Sequence, residues 1–283
     1  LDPSKLDDHE RFYFLVLLEK NSPGHIFCEH CAKLHAIANA LYHHRSKRPY
    51  VMDTSSDSYW RHPALRDKTR KWLQCLIADG KDITHLRLHP DFSSTIFRMA
   101  MKQYHQGQDC SKLLKLLSCE PDPQHYHARQ YTGTPRIVDG RMLWRDQQVD
   151  MTRAKREVWI EARQGAKLHI CPHLIFGSME SWLEFKDTSQ DLQRCKYCYT
   201  EFRIDFNTFE NRSARFITKW KDFGEGHSVD DRKWRSHLST IPDEVNFKPG
   251  SIFEAFQQDE KEEFDFLLLL DPGNKQSMLR HPC

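Results

Sequence analysis

Two short ligand-bearing segments constrain this chain more than anything else in it: Cys171-Pro172-His173 and, 22 positions after His173, Cys195-Lys196-Tyr197-Cys198. Zinc prefers four tetrahedral thiolate or imidazole ligands, commonly delivered as two close pairs from separate segments. A Cys-x-x-Cys turn lets both sulfurs face one point. Residues i and i+2 of a flat strand stand too far apart to share an ion, and Pro172 supplies a bend that brings Cys171 and His173 together. The strand pattern that begins at Glu201 fits a knuckle pinning the end of a sheet. The competing reading is a set of unrelated buried thiols with a surface imidazole, since free Cys is among the most buried residue types. A redox dithiol fits less well. A thioredoxin-like motif opens a helix whose N-terminus lowers a thiol pKa, and here a strand pattern follows.

A second cluster lies near the start. Cys28, Cys31 and His35 place three candidate ligands within eight residues. Its fourth ligand is open among His25, His30, His43, His44, Cys110 and Cys119. Another arrangement is one four-thiolate site from Cys28, Cys31, Cys195 and Cys198. Against both stands packing of Cys28 and Cys31 on the first helix, with His35 capping or facing solvent. Neither Cys-x-x-Cys is followed by His, which excludes c-type haem attachment.

Composition explains why metal would help. Apolar residues make up 39% of the 283 and charged residues 29%, so a crosslink that forms only on folding adds stability the core lacks. Net charge is +2, too small to recruit nucleic acid or anionic lipid through a global field. The longest apolar run, Phe12 to Leu18, has seven residues against the ~20 a bilayer span needs. Nine Cys, an odd count, without a signal-peptide pattern lead to the expectation of a reducing, intracellular compartment, cytoplasmic or nuclear. The chain opens on Leu1, from which a missing upstream segment is expected. Gly-rich nucleotide cradles, HExxH and the deaminase signature do not occur. Glu201, three residues past Cys198, is the one carboxylate near a ligand that merits consideration as a general acid or base. Its alternation with Phe202 assigns it to the solvent face.

The pattern reads as α+β: helices first, then an antiparallel sheet with zinc-knuckle-like elements. Residues 1–120 are expected to form a mainly helical region and residues 121–283 a β-rich region. Asp7 and Asp8 precede an apolar stretch that stops at Asn21-Ser22-Pro23-Gly24, the signals of a short helix. Ala64 to Ala78, Phe92 to His105 and Ser111 to Leu117 follow helical spacing. Arg45 to Tyr59 reads as a solvated connection. Asp139-Gly140 between apolar flanks signals a two-residue hairpin. Val158 to Ala162, Leu168 with Ile170, and Phe202-Ile204-Phe206 alternate as strands with one buried and one wet face, and Phe216 to Trp220 suits a partner strand. Asp231 to Leu238 and Ile252 to Leu270 read as helices. Gly224-Glu225-Gly226-His227 reads as a turn between core aromatics rather than a binding loop. His43-His44-Arg45 with Lys47 and Arg48 is a short basic patch on a connection.

With those segments in view, the chain resembles a large group of uncharacterised fungal proteins that carry an N-terminal F-box. One stretch of the resemblance runs from Glu10-Arg11 through Leu17-Leu18-Glu19 into Cys28, Cys31, Lys33-Leu34-His35. A second is Arg136-Ile137-Val138-Asp139. A third starts at Ile170-Cys171-Pro172-His173, continues through Cys195, Tyr197-Cys198 and Thr200-Glu201-Phe202 to Ile204-Asp205, and ends at Gly224-Glu225-Gly226 and Lys233-Trp234-Arg235-Ser236-His237-Leu238. The resemblance implies a substrate-recognition region downstream of an F-box, the element that docks a ubiquitin-ligase adaptor. The F-box helices themselves would lie before Leu1, so adaptor docking is expected only of a longer protein that contains them. The expectation is therefore a non-catalytic module with one or two structural zinc ions and a protein partner. A zinc-dependent enzyme is the alternative and would show three protein ligands plus water in a cleft. A nucleic-acid-binding zinc module would show a basic face beside Cys195 and Cys198.

Overall fold

The computed structural model describes residues 7–28, 32–43, 92–119, 129–152, 168–176, 192–209, 212–228, 231–239 and 241–258. They fall into two compact units, one ending at Leu117 and one beginning at Ser118. The expected helix at Ala64–Ala78, the connection at Arg45–Tyr59 and the strand at Val158–Ala162 lie outside the described residues.

In the first unit, α1 (Asp8–Lys20) starts where the acidic signal places it. The Asp7 carboxylate accepts from the Glu10 amide at 2.8 Å, and the Glu10 side chain accepts from the Asp7 amide at 3.2 Å. This reciprocal pair satisfies two donors that the first turn leaves open. A small hairpin follows, β1 (His25–Cys28) against β2 (Lys33–Ala36), then a 3-10 segment, Ile37–His43. Next come α2 (Ser94–His105), capped by Ser93, and α3 (Ser111–Leu117). Phe12 of α1 meets Phe27 of β1 edge-on at 5.0 Å. Arg98 of α2 grips the Glu19 carboxylate with bonds of 2.9 and 3.0 Å and also donates to the Phe27 carbonyl. Lys102 donates to the carbonyls of Glu19, Ser22 and His25 at 2.6, 2.9 and 2.7 Å, closing off the C-terminal end of α1.

The second unit is built on a five-stranded antiparallel sheet in the order β3-β4-β9-β8-β7. Its strands are β3 (Arg129–Val138), β4 (Arg141–Thr152), β7 (Gln193–Arg194), β8 (Thr200–Phe209) and β9 (Arg212–Asp222). A separate two-stranded hairpin joins β5 (Leu168–His169) to β6 (Ile175–Phe176). Among the described residues of this unit, helices α4 (Arg232–Ser236) and α5 (Ser251–Gln257) follow the sheet. The β3–β4 turn sits on Asp139-Gly140, both at positive φ (50° and 77°), the backbone twist that two-residue hairpins require. Pro135 occupies the edge strand β3, where its missing donor is tolerated.

The expectation of one wet face holds only in part: Arg203 and Asp205 of β8 are half-buried and alternate with the buried Phe202 and Ile204, while both faces of the sheet are covered elsewhere. One face of the sheet carries Phe202, Ile204 and Ile217, which pack with Ile170 beside the β5–β6 hairpin. The other carries Leu143 and Trp220, covered by Ile252 and Phe256 of α5. Both faces are therefore buried over much of the sheet, which is why β9 alternates between two kinds of interior rather than interior and solvent. α5 covers only the start of the helix expected over Ile252–Leu270, and residues after 258 lie outside the described residues. Among the described residues no helix is long and apolar enough to cross a membrane.

Candidate metal centre

Local backbone bonding aims the two ligand segments. Cys171-Pro172-His173 forms the tip of the β5–β6 hairpin, held by bonds from the Ile170 and Cys171 amides to the Leu174 carbonyl at 3.0 and 3.4 Å. Cys195-Lys196-Tyr197-Cys198 forms the turn between β7 and β8. There the Cys195 amide donates to the Thr200 carbonyl at 2.9 Å and the Thr200 amide to the Cys198 carbonyl at 2.8 Å. The Tyr197 amide donates to the Cys195 sulfur at 3.3 Å, and Thr200 Oγ1 lies 3.2 Å from the Cys198 sulfur.

The two turns meet. One donor atom from each of Cys171, His173, Cys195 and Cys198 lies within 4.8 Å of the other three. The three cysteines are fully buried, with Leu174 and Tyr197 packed against them, and the His173 ring lies 5.6 Å from that of Tyr197. Both ring nitrogens of His173 are buried and neither makes a well-formed hydrogen bond, although the ring lies close enough to Cys195 to favour its thiolate. An imidazole buried in that condition is unusual in a folded protein, and an ion held by one ring nitrogen would account for one of the two.

The thiols hold each other in unequal states. Hydrogen bonds from Cys171 and then Cys198 pull Cys195 far below the ordinary thiol range. Burial, followed by the hydrogen bond to Cys195, pushes Cys171 up to about 12, and Cys198 is raised for the same reasons. A second anion beside the first in a buried site is too costly without a cation. These donors can hold a metal ion, and such an ion would stabilise all three sulfurs as thiolates.

Charged and polar neighbours surround the cluster. Lys221 of β9 is fully buried and pushed down to about 8, mainly by that burial. Lys219, two positions earlier, pairs with Asp146 of β4 at 2.6 Å. His237, just past α4, is fully buried against the Phe223 ring at 5.0 Å, with Nε2 3.1 Å from the Asp222 carbonyl. Burial pushes its pKa down to about 3. Sequence patterning missed all of these. Charged residues at alternate positions of a strand look like a wet face until the structure places a second layer over them.

Glu201 is a correction. It is fully buried and faces α5, not solvent, because that helix covers its side of the sheet. Its carboxylate accepts the Gly250 amide at 2.5 Å and the Phe253 amide at 2.8 Å, anchoring the start of α5. Burial raises its pKa, opposed chiefly by the Phe253 amide. The side chain is occupied as a helix anchor and is not poised for acid–base chemistry.

The N-terminal cluster is placed only in part. Cys28 ends β1 and is buried, whereas His35 lies in β2 and is half-buried. The register pairs Ile26 with His35 and Cys28 with Lys33, so Cys28 and His35 share one face of the hairpin. The His35 ring lies 4.5 Å from that of His43. Cys31, His30 and His44 lie outside the described residues. Among the described residues, the four-residue cluster of the second unit is the single group of three or more such side chains whose donors gather. Cys195 and Cys198 find two partners, Cys171 and His173, inside their own unit. The Gly224–His227 segment is a turn: the amides of Glu225 and Gly226 donate to the Asp231 carboxylate at 3.0 and 3.3 Å, and Phe223 packs on Trp234.

What fold and site define together is an α+β chain with a buried cluster of three sulfurs and one imidazole at the end of an antiparallel sheet. No protein-family model, curated protein or solved structure matches it.

Proposed function

We propose that this chain is a zinc-stabilised, non-catalytic protein-interaction module, in which Zn2+ held by Cys171, His173, Cys195 and Cys198 fastens the β5–β6 hairpin to the β7–β8 end of the sheet. The observation that carries the reading is the gathering of four soft donors within 4.8 Å in a buried setting. Three sulfurs and one imidazole suit tetrahedral zinc, and hard cations that want oxygen ligands do not fit. Four protein donors fill the coordination sphere, whereas a catalytic zinc keeps a position open for water or substrate. The engagement of Glu201 with α5 takes away the one carboxylate suited to assist such a site. Support for a recognition role comes from the resemblance to the region downstream of an F-box; adaptor docking would belong to the F-box itself in a longer protein. The N-terminal Cys28, Cys31 and His35 remain a second proposed zinc site.

Metal analysis of purified protein tests the reading. Wild type should carry zinc, Cys195→Ser should lose one equivalent, and Cys28→Ser should lose a different one. Stripping the metal with a chelator should unfold the second unit, because metal-binding free energy is then folding free energy. A wild type free of metal, or a second unit that keeps its fold after stripping, overturns it.

A further inference from the structure

Lys221 stands where a metal centre of this composition needs a positive charge. In the ladder its partners are Thr200 on β8 and Trp144 on β4, so these three side chains share a face of the sheet. Thr200 ends that row against the cluster, with Oγ1 3.2 Å from the Cys198 sulfur. The Lys221 side chain is wholly shielded from solvent. Placing an ammonium in such a position is costly unless nearby negative charge answers it. Lys219 beside it opposes that charge, whereas Asp146, which also binds Lys219 at 2.6 Å, and the sulfurs of Cys171 and Cys198 favour it.

A divalent ion on three thiolates and a neutral imidazole carries one net negative charge. A four-thiolate centre would carry two, and a centre of two thiolates and two imidazoles none. We propose that Lys221 is the counter-ion of the zinc centre, a positioning residue whose buried ammonium matches the single negative charge of a three-cysteine, one-histidine site and quiets the nucleophilicity of its sulfurs. The inference rests on the zinc reading above and adds to it a residue that touches no ligand position in sequence. It also gives a reason for a lysine at a fully buried position near the end of β9, where an apolar residue would pack at lower cost.

The experiment measures zinc affinity of the full chain by competition with a chromophoric chelator, alongside alkylation of the zinc-loaded protein by iodoacetamide. Lys221→Met and Lys221→Gln remove the charge; Lys221→Arg keeps it. Both neutral variants should bind zinc roughly 10- to 100-fold more weakly, the range for losing an outer partner of a metal site, and should alkylate faster. Lys221→Arg should recover most of both losses. Because folding and zinc binding are coupled, a lysine needed only for packing would weaken zinc binding as much in Lys221→Arg as in the neutral variants. Wild-type affinity and alkylation rate in the neutral variants, or no recovery in Lys221→Arg, would therefore overturn the inference while leaving the zinc reading intact. A wild type that takes up no zinc would overturn both. If the neutral variants fold only when the charge is restored by Lys221→Arg, the inference stands, and if all three fail to fold, charge is not what the position requires and it falls.

Discussion

Replacing Glu201 with alanine should destabilise the second unit by about 2–4 kcal/mol without changing its metal content. The carboxylate accepts two backbone amides at the start of α5, at 2.5 and 2.8 Å. Hydrogen bonds to a charged group contribute about 1.5–3 kcal/mol each, and removing the acceptor strands both donors. Part of that loss is offset, because the variant no longer buries a carboxylate whose pKa its surroundings raise. Glu201→Gln keeps one acceptor oxygen and should lose about half as much. The effect has a defined location. Ile252 and Phe256 cover Leu143 and Trp220, and Phe253 meets the Trp220 ring at 5.0 Å, so loosening the start of α5 uncovers that layer. Urea unfolding followed by circular dichroism gives the global loss, and hydrogen exchange at the α5 amides shows whether the helix opens first. A loss below about 0.5 kcal/mol for the alanine variant, the usual range for an ordinary surface change, would refute the anchoring role.

Two other perturbations follow from the same unit. His237 has a folded pKa of about 3 against an ordinary 6.5, so the unfolded chain binds more protons between those values and stability rises with pH across that window. Its contribution is fully present above about pH 6.5 and fades as pH falls toward 3, by a few kcal/mol at most. His237→Phe should be less stable near neutrality, through loss of the bond to the Asp222 carbonyl, yet flatter between pH 4.5 and 7; an unchanged slope in paired urea titrations would count against the assignment. Gly133→Ala should cost about 1–3 kcal/mol, because a Cβ there runs into the buried Trp144 indole, and an unshifted melting temperature would show that the ring can move aside.

Signals that act over a few residues were legible before any fold was known. The acidic start at Asp7 marked the first helix because a capping carboxylate serves amides within one turn, and the turn at Asp139-Gly140 depends on two residues that tolerate positive φ. The Cys195–Cys198 spacing likewise aims both sulfurs to one side, since one turn sets their separation. Alternation located β8 and β9 correctly, but it assigned Glu201 to water because a period of two says which residues share a face and nothing about what covers it.

Residue order alone determined the candidate donor types, the turns that present them and the antiparallel pairing of the strands around them, all consequences of short-range sterics and hydrogen bonding. Tertiary structure decided that Cys171 and His173 meet Cys195 and Cys198, that α5 seals the face bearing Glu201, and that Lys219, Lys221 and His237 lie inside. Those outcomes come from layers packing across long sequence separations, where burial converts an ordinary polar side chain into an anchor or a counter-charge.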